Sequence, residues 1–204
     1  MKQPSTAASP PGPTQLEIAR QASAEHANGK LLIHFALKNG GDKPLYVFDR
    51  PWMLQDAKVA VADPNRAYRF YQNGVLRILL GQAPMPQDRM VAVHYDPHAT
   101  RLAPHQTVIW NLDFEIPVAE YNVYFDDLTV AKYERQIANS IEITVQYVSE
   151  DPGLTVSPSP VIPGAFKVRA AHGVPKVDSV HLHIRDHQTE VLRRTDQFER
   201  AQPE

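Results

Sequence analysis

Histidine is the residue type in this sequence with the widest scope for chemistry, because its imidazole binds metals and titrates near neutral pH. The chain has nine histidines. His181 and His183 lie two residues apart in a segment that predicts a strand, so both rings project from the same face. Such rings supply two metal ligands, and His187 follows closely enough to add a third. The alternative is a hydrated strand face that binds nothing.

A second histidine group has the same spacing of two residues. His94, Asp96 and His98 would align on one side of an extended backbone, and all three are ligand types for zinc or copper. The intervening Pro97 favours a turn instead, since proline interrupts strand pairing. The two histidine groups define one hypothesis for the protein, a zinc- or copper-binding β-sandwich.

Aromatic residues cluster at two places where predicted strands become loops. Arg50 and Trp52 follow one strand, while Tyr121, Tyr124 and Phe125 precede a predicted helix. The loops of a β-sandwich carry its binding residues because its strands are committed to packing. Tyrosine, tryptophan and arginine are enriched at the centres of protein interfaces. We therefore expect these five residues to contribute to one binding surface, the alternative being that the aromatic rings fold back into the core.

The motifs of common enzyme classes are absent from the sequence. It has no G-x-S-x-G nucleophile elbow, no G-x-G-x-x-G loop and no phosphate-binding G-x-x-x-x-G-K-[ST] loop. The acidic pairs Asp126-Asp127 and Glu150-Asp151 are adjacent, a pattern more typical of turns and caps than of paired catalytic acids. The sequence therefore predicts a non-enzymatic binding or structural module without a cofactor.

Composition narrows the classes of partner. The 21 basic and 23 acidic residues leave no basic stripe of the kind that nucleic-acid binding requires. The chain has no cysteine, which excludes a disulfide framework and thiolate metal sites. No apolar run approaches the roughly 18 residues of a membrane span. A protein or a glycan is the partner that this composition favours.

Residues 1–14 are rich in proline, serine, alanine and threonine and predict a flexible linker. A linker of this composition resembles the tether that follows an export or lipoprotein signal, which favours a periplasmic or cell-envelope location, with a lipid anchor on a removed N-terminus as one version. The alternative is a disordered native N-terminus of a cytoplasmic protein. The charged residues 185–204 predict a frayed tail or a short surface helix.

Between these tails, hydrophobicity alternates with the period of two that indicates strands. The clearest predicted strands cover residues 29–37, 108–116 and 140–148. Asn73-Gly74 lies between two apolar runs and predicts a β-hairpin. One stretch has helical spacing instead, which predicts a short helix that ends at Asn139, with Asp126 or Asp127 as its N-cap. The residues with this spacing are Leu128, Ala131, Tyr133 or Glu134, and Ile137.

About 8–10 strands with one-sided alternation predict two packed antiparallel sheets. The phrase Leu102-Ala103-Pro104-His105-Gln106-Thr107, followed by a strand and Pro117, resembles a leucine-x-proline-glycine turn of bacterial immunoglobulin-like domains, with His105 at the glycine position. The resemblance covers about sixteen residues and implies a fold only. We therefore expect a single immunoglobulin-like antiparallel β-sandwich over residues 15–184, with one short connecting helix.

Overall fold

The computed structural model describes residues 15–55, 59–86, 95–125, 131–171 and 176–196. Within these ranges the protein is all-β, as predicted, apart from two single 3-10 turns at Pro64–Arg66 and Val123–Phe125. Neither helical turn is long or apolar enough to cross a membrane. The strands are β1 (Leu16–Ala27), β2 (Lys30–Asn39), β3 (Leu45–Arg50), β4 (Trp52–Gln55), β5 (Val59–Ala62), β6 (Tyr68–Gln72), β7 (Val75–Leu80), β8 (His98–Leu102), β9 (Thr107–Glu115), β10 (Val118–Ala119), β11 (Tyr133–Ala138), β12 (Ser140–Ser149), β13 (Leu154–Pro158), β14 (Phe166–Ala170), β15 (Asp178–Ile184) and β16 (Thr189–Arg194).

The strands form several sheets, one of which curls into a half-barrel. A three-stranded sheet has the order β1-β2-β9, and an eight-stranded sheet has the order β13-β14-β8-β3-β12-β7-β6, with β15 paired to β12. Smaller sheets contain β10-β16-β11 and β4-β5. The expectation of purely antiparallel sheets was wrong, because β12 pairs in parallel with β7, and β10 with β16. The long connection between β7 and β12 leaves room for the crossover that a parallel pair requires.

Alternating side chains of the strands fill the interior, as the sequence predicts. Leu31, Ile33, Phe35 and Leu37 of β2 are fully buried and join one core with the inward residues of β7, β9, β12 and β15. The Phe35 ring stacks on Trp110 with centroids 5.6 Å apart. Each large apolar side chain buried in this way contributes about 1.5–3 kcal/mol, so this core is the main source of stability.

Two hairpins use asparagine-glycine turns. Asn73 and Gly74 join β6 to β7, with φ angles of 51° and 81°, which confirms the predicted hairpin. Asn28 and Gly29 join β1 to β2 in the same way, with φ angles of 53° and 76°. Both central residues of such a turn need positive φ, which asparagine and glycine tolerate best. The Asn28-Gly29 turn was not predicted, because Gly29 was assigned to the predicted strand 29–37 and Asn28 directly precedes that strand.

The prediction of a helix around residue 131 was wrong for the part of that segment that the structure describes. Tyr133–Ala138 is strand β11, and it pairs antiparallel with β16 over its whole length. The proposed helix start at Asp126, Asp127 and Leu128 lies outside the described residues. Helical spacing over so few residues is weak evidence, and pairing with a distant strand outweighed it.

The C-terminal segment also differs from expectation. Thr189–Arg194 forms strand β16 rather than a frayed tail or a helix, and Val191 and Arg194 are buried. The ordered β-structure thus continues past residue 184, the predicted end of the domain. The charged composition concealed this strand because three of its six residues, Glu190, Arg193 and Arg194, are charged, although Val191 packs into the core.

The turn that resembles an immunoglobulin-like motif has the backbone conformation that its glycine position requires. His105 has a φ of 60°, and the Gln106 amide donates to the Ala103 carbonyl at 3.1 Å. The Gln106 side chain accepts from the Ala103 amide at 2.8 Å, which closes the turn from the other side. A histidine therefore occupies a left-handed position that favours glycine.

Replacing His105 with glycine is expected to raise the free energy of unfolding by about 0.5–1 kcal/mol, because glycine avoids the steric cost of positive φ. The His105→Ala variant retains the Cβ atom and should give no such gain. Urea denaturation of both variants beside the wild type measures the difference. Equal stabilisation by alanine and glycine would show that the histidine ring, not the backbone, carries the cost.

Candidate functional site

Three aromatic side chains from separate parts of the chain meet at the surface. Trp52 begins β4, Tyr95 lies in the segment before β8, and Tyr124 lies in the 3-10 turn Val123–Phe125. All three are half-buried, so each ring has one part in the protein and another in solvent. We call Trp52, Tyr95 and Tyr124 the aromatic patch.

Backbone hydrogen bonds hold the patch together. The Tyr95 hydroxyl accepts from the Trp52 amide and donates to the Trp52 carbonyl at 2.9 Å. The Tyr95 amide donates to the Tyr124 hydroxyl at 3.1 Å. The Trp52 indole nitrogen donates to the Asp96 carbonyl at 3.1 Å. Tyr95 therefore connects the two sequence segments that were predicted to form one surface.

Ring stacking fixes the orientation of Trp52. Its ring stacks on Tyr95 with centroids 5.5 Å apart and on His98 with centroids 6.0 Å apart. His98 is almost fully buried, and its Nδ1 atom has no hydrogen-bond partner among the described residues. Burial, together with the positive charge of Lys167, lowers the pKa of His98, so the ring is neutral at pH 7. A neutral imidazole beneath the tryptophan keeps this part of the site uncharged.

The tyrosines of the patch are neutral hydrogen-bonding groups. Burial raises the pKa of Tyr95 to about 12 and also raises the pKa of Tyr124. Neither hydroxyl ionises near pH 7, so both retain a proton to donate. The patch therefore combines exposed aromatic area with neutral polar groups and no fixed charge of its own.

Two arginines contact Tyr121, another of the residues predicted for the binding surface. The guanidinium carbons of Arg66 and Arg69 each lie 5.1 Å from the centroid of the Tyr121 ring. Arg69 donates from Nε to the Ala119 carbonyl at 2.7 Å, and burial lowers its pKa to about 10. Arg69 therefore remains charged at neutral pH and holds Tyr121 by a cation–π contact. Both arginines therefore hold the Tyr121 ring within the fold.

The five residues predicted to share a binding surface have different positions. Trp52 and Tyr124 lie together in the aromatic patch, on either side of Tyr95. Phe125 is buried in a cluster with Tyr68, Phe70 and Ala83, so its ring folds back into the protein. Arg50 keeps 39% of its side chain exposed and donates to the Thr100 hydroxyl at 3.0 Å. Exposed aromatic surface is thus provided by fewer residues than the sequence suggested.

A buried carboxylate supports the strand end that carries Arg50. Asp49 accepts hydrogen bonds from the Trp110 indole at 2.7 Å, from the Thr100 hydroxyl at 3.0 Å and from the Thr100 amide at 3.1 Å. Only 6% of Asp49 is exposed. The network joins β3, β8 and β9, and therefore fixes the strand from which the chain turns into the patch.

The histidines predicted as metal ligands do not converge within the described residues. His181 and His183 are exposed on β15, as predicted, whereas His98 is buried on β8. Strands β3 and β12 lie between them, which separates the two positions by three strand spacings, roughly 14 Å along the sheet. His94 lies outside the described residues, and no group of three potential ligands in metal-binding geometry occurs in the rest.

His181 already has partners for both ring nitrogens. Its Nδ1 lies 3.1 Å from the Thr144 hydroxyl, and its Nε2 lies 3.2 Å from the Ser179 hydroxyl. Glu142 approaches within 3.9 Å but pairs with Arg77 at 2.8 Å. These contacts place His181 on a polar face of β15.

Tyr95 is the residue of the patch that sequence reasoning missed. It lies in the His94–His98 segment, which was considered only for its metal ligands. An aromatic residue two positions before a proline was the available signal, but its partners are distant along the chain. The contact between His26 and His187 was missed for the same reason, since 161 positions separate the two residues.

Fold and site together describe an all-β protein with a surface aromatic patch. Comparison of the chain with protein-family models, with curated proteins and with solved structures found no match.

Proposed function

We propose that this protein is a non-catalytic binding or structural β-sandwich module that presents the aromatic patch to a protein or glycan partner. The observation that carries the proposal is the meeting of Trp52 and Tyr124 around Tyr95 at the surface, with all three rings half-buried. Partial exposure leaves some of each of these residues available to a partner. Rings that stay partly exposed while their orientation is fixed are suited to contact a partner.

The patch is preorganised for binding. Hydrogen bonds from Tyr95 to the Trp52 backbone and from the Tyr95 amide to Tyr124 already restrict these side chains. Binding a partner would therefore cost little side-chain conformational entropy. A flat indole beside two neutral phenols matches the apolar face of a sugar ring and equally an apolar side chain of a protein. Arg50 and Arg66 add positive charge near the rim, which would favour a partner with acidic groups there.

The proposal includes two further statements. We propose that the β-fold is of the immunoglobulin-like kind, supported by the core that the three-stranded and eight-stranded sheets share and by the left-handed His105 in the expected turn. We also place the protein in the bacterial cell envelope, supported by the tether-like composition of residues 1–14. An experimental structure compared with immunoglobulin-like domains tests the first statement, and cell fractionation tests the second.

The binding proposal is tested by alanine substitution in the patch. An oligosaccharide array and a phage-displayed peptide library would supply ligands, whose affinities are then measured for the wild type, Trp52→Ala and Tyr124→Ala. Each variant should bind about 30-fold more weakly, the loss typical of an interface hot spot. Thermal denaturation confirms that the variants remain folded.

His183→Ala is the matched control, because His183 is exposed on β15 and distant from the patch. This variant should bind like the wild type. Ligands that bind both patch variants and the wild type equally would refute the proposal. So would a failure of both libraries to yield binding tighter than about 100 μM, a free energy near −5.5 kcal/mol.

A further inference from the structure

A pair of histidines lies on the surface, away from the aromatic patch. His26 lies near the end of β1, and His187 lies in the turn between β15 and β16. Their Nε2 atoms are 3.2 Å apart, and the ring centroids are 4.8 Å apart at an interplanar angle of 74°. His26 is exposed and His187 is half-buried, so both nitrogens are close to solvent.

The separation of the two nitrogens matches the spacing of two ligands on one metal ion. Zinc binds imidazole nitrogen at about 2.0–2.1 Å, and tetrahedral geometry then places two nitrogens about 3.3 Å apart. Without a metal, one ring must be the tautomer that donates to the other. We propose that His26 and His187 bind one divalent transition-metal ion of the imidazole-preferring class, such as Zn²⁺, with water completing the coordination.

The backbone on both sides of the pair is held in place. The His187 amide donates to the Asn139 carbonyl at 3.1 Å, and Asp186 takes a φ of 54° that turns the chain toward β16. On the other side, the Asn28-Gly29 turn begins two residues after His26 and fixes the end of the β1–β2 hairpin. The two imidazoles are therefore brought together by the fold, which reduces the entropic cost of adding a metal.

The site would join two sheets. His26 belongs to the three-stranded sheet, whereas His187 directly follows β15 of the eight-stranded sheet. A metal bound here would link the three-stranded sheet to the eight-stranded sheet. Since the ion binds the folded chain, it favours folding about 100-fold when its free concentration is 100 times the dissociation constant.

Calorimetric titration of Zn²⁺ into tag-free protein at pH 7.5 tests the site. The wild type should bind one Zn²⁺ with a dissociation constant of about 1–50 μM, in the affinity range that calorimetry resolves. His26→Ala and His187→Ala should each weaken binding at least tenfold. The double variant His181→Ala/His183→Ala should retain wild-type affinity, because the proposed site includes neither ring and His181 bonds to Thr144 and Ser179 instead. Electron paramagnetic resonance of the Cu²⁺ complex should show two coordinating nitrogens in the wild type.

Several results would overturn the inference. One is a wild type that binds neither Zn²⁺ nor Cu²⁺ more tightly than about 1 mM. Another is binding that survives in His26→Ala and His187→Ala but is lost in the control variant His181→Ala/His183→Ala. Circular dichroism in the presence of a chelator verifies that each variant is folded. If an alanine variant is unfolded, His26→Gln and His187→Gln replace it and must show the same loss. The aromatic patch is untouched by these variants, so ligand binding there is a separate result.

Discussion

Replacing Asp49 with alanine is expected to lower the free energy of unfolding by about 3 kcal/mol, measured by urea denaturation. The variant leaves the Trp110 indole N–H and the Thr100 amide and hydroxyl without the carboxylate that accepts from them. These donors lie in or beside the core, where water does not replace the lost acceptor. Asp42→Ala is the matched control, because its side chain is 97% exposed, and it should change stability by less than about 0.5 kcal/mol.

A double-mutant cycle isolates the contact between Asp49 and Trp110. Trp110→Phe keeps an aromatic ring in the core but removes the indole donor, so it should cost less in the Asp49→Ala background than in the wild type. The coupling energy is expected to be about 1–3 kcal/mol, as for other hydrogen bonds to charged groups. Strict additivity of the two substitutions would contradict the role assigned to this carboxylate.

The same carboxylate has a pH signature. Burial raises the pKa of Asp49 above its ordinary value of 3.8, and this effect outweighs the hydrogen bonds from Trp110 and Thr100, which lower it. The folded protein therefore holds the proton more tightly than the unfolded chain does. The resulting stability is complete below the unfolded pKa and is lost as pH rises through the folded pKa. The advantage of the wild type over Asp49→Asn should thus be larger at about pH 3.5 than at pH 7, and a larger advantage at pH 7 would reverse the assigned direction.

Glu120 is the second position where a single substitution should be severe. Only 2% of this residue is exposed, and its two carboxylate oxygens accept from the Tyr71 amide at 2.7 Å and from the Arg194 amide at 2.6 Å. The side chain therefore joins β6 to β16. Glu120→Gln places an amide N–H₂ against one of these backbone donors and is expected to cost about 3 kcal/mol in the free energy of unfolding.

Two measurements check the role of Glu120. Urea denaturation gives the loss of stability, and hydrogen exchange should accelerate at the amides of Tyr71 and Arg194, which a general loss of packing would not single out. Glu115→Gln is the control, since 79% of its side chain is exposed and its charge lies at the surface. A Glu120→Gln variant as stable as this control would show that the backbone amides find other acceptors.

Local patterns in the sequence were sufficient for the parts of the fold that depend on neighbouring residues. The alternation in β2 and the Asn73-Gly74 hairpin follow from side-chain direction and from positive φ, and both are properties of a few consecutive residues. The pairing of β11 with β16 joins segments far apart in the chain. Hydrophobic periodicity does not encode which strand becomes the partner, so β11 was predicted as a helix and β16 as a tail.

The same distinction applies to the candidate site. Trp52 and Tyr124 were predicted from their residue types and their positions at strand ends. Tyr95, which connects them, could not be found without the fold, because its contacts span the chain. Phe125 has the same residue type and neighbourhood as Tyr124, yet it is buried among Tyr68 and Phe70. Which of two adjacent aromatic rings faces solvent is decided by the backbone direction of a 3-10 turn.

The position of β12 at the centre of the large sheet has a consequence for biosynthesis. This strand pairs with β3 and β7, which precede it in the chain, and with β15, which follows it. Of these partners β15 leaves the ribosome last, so one edge of β12 stays unpaired while residues 150–184 are still being made. Unpaired edges of this kind recruit other chains. Nascent molecules that stall before Ile184 should therefore be the aggregation-prone species and the natural clients of a holdase chaperone.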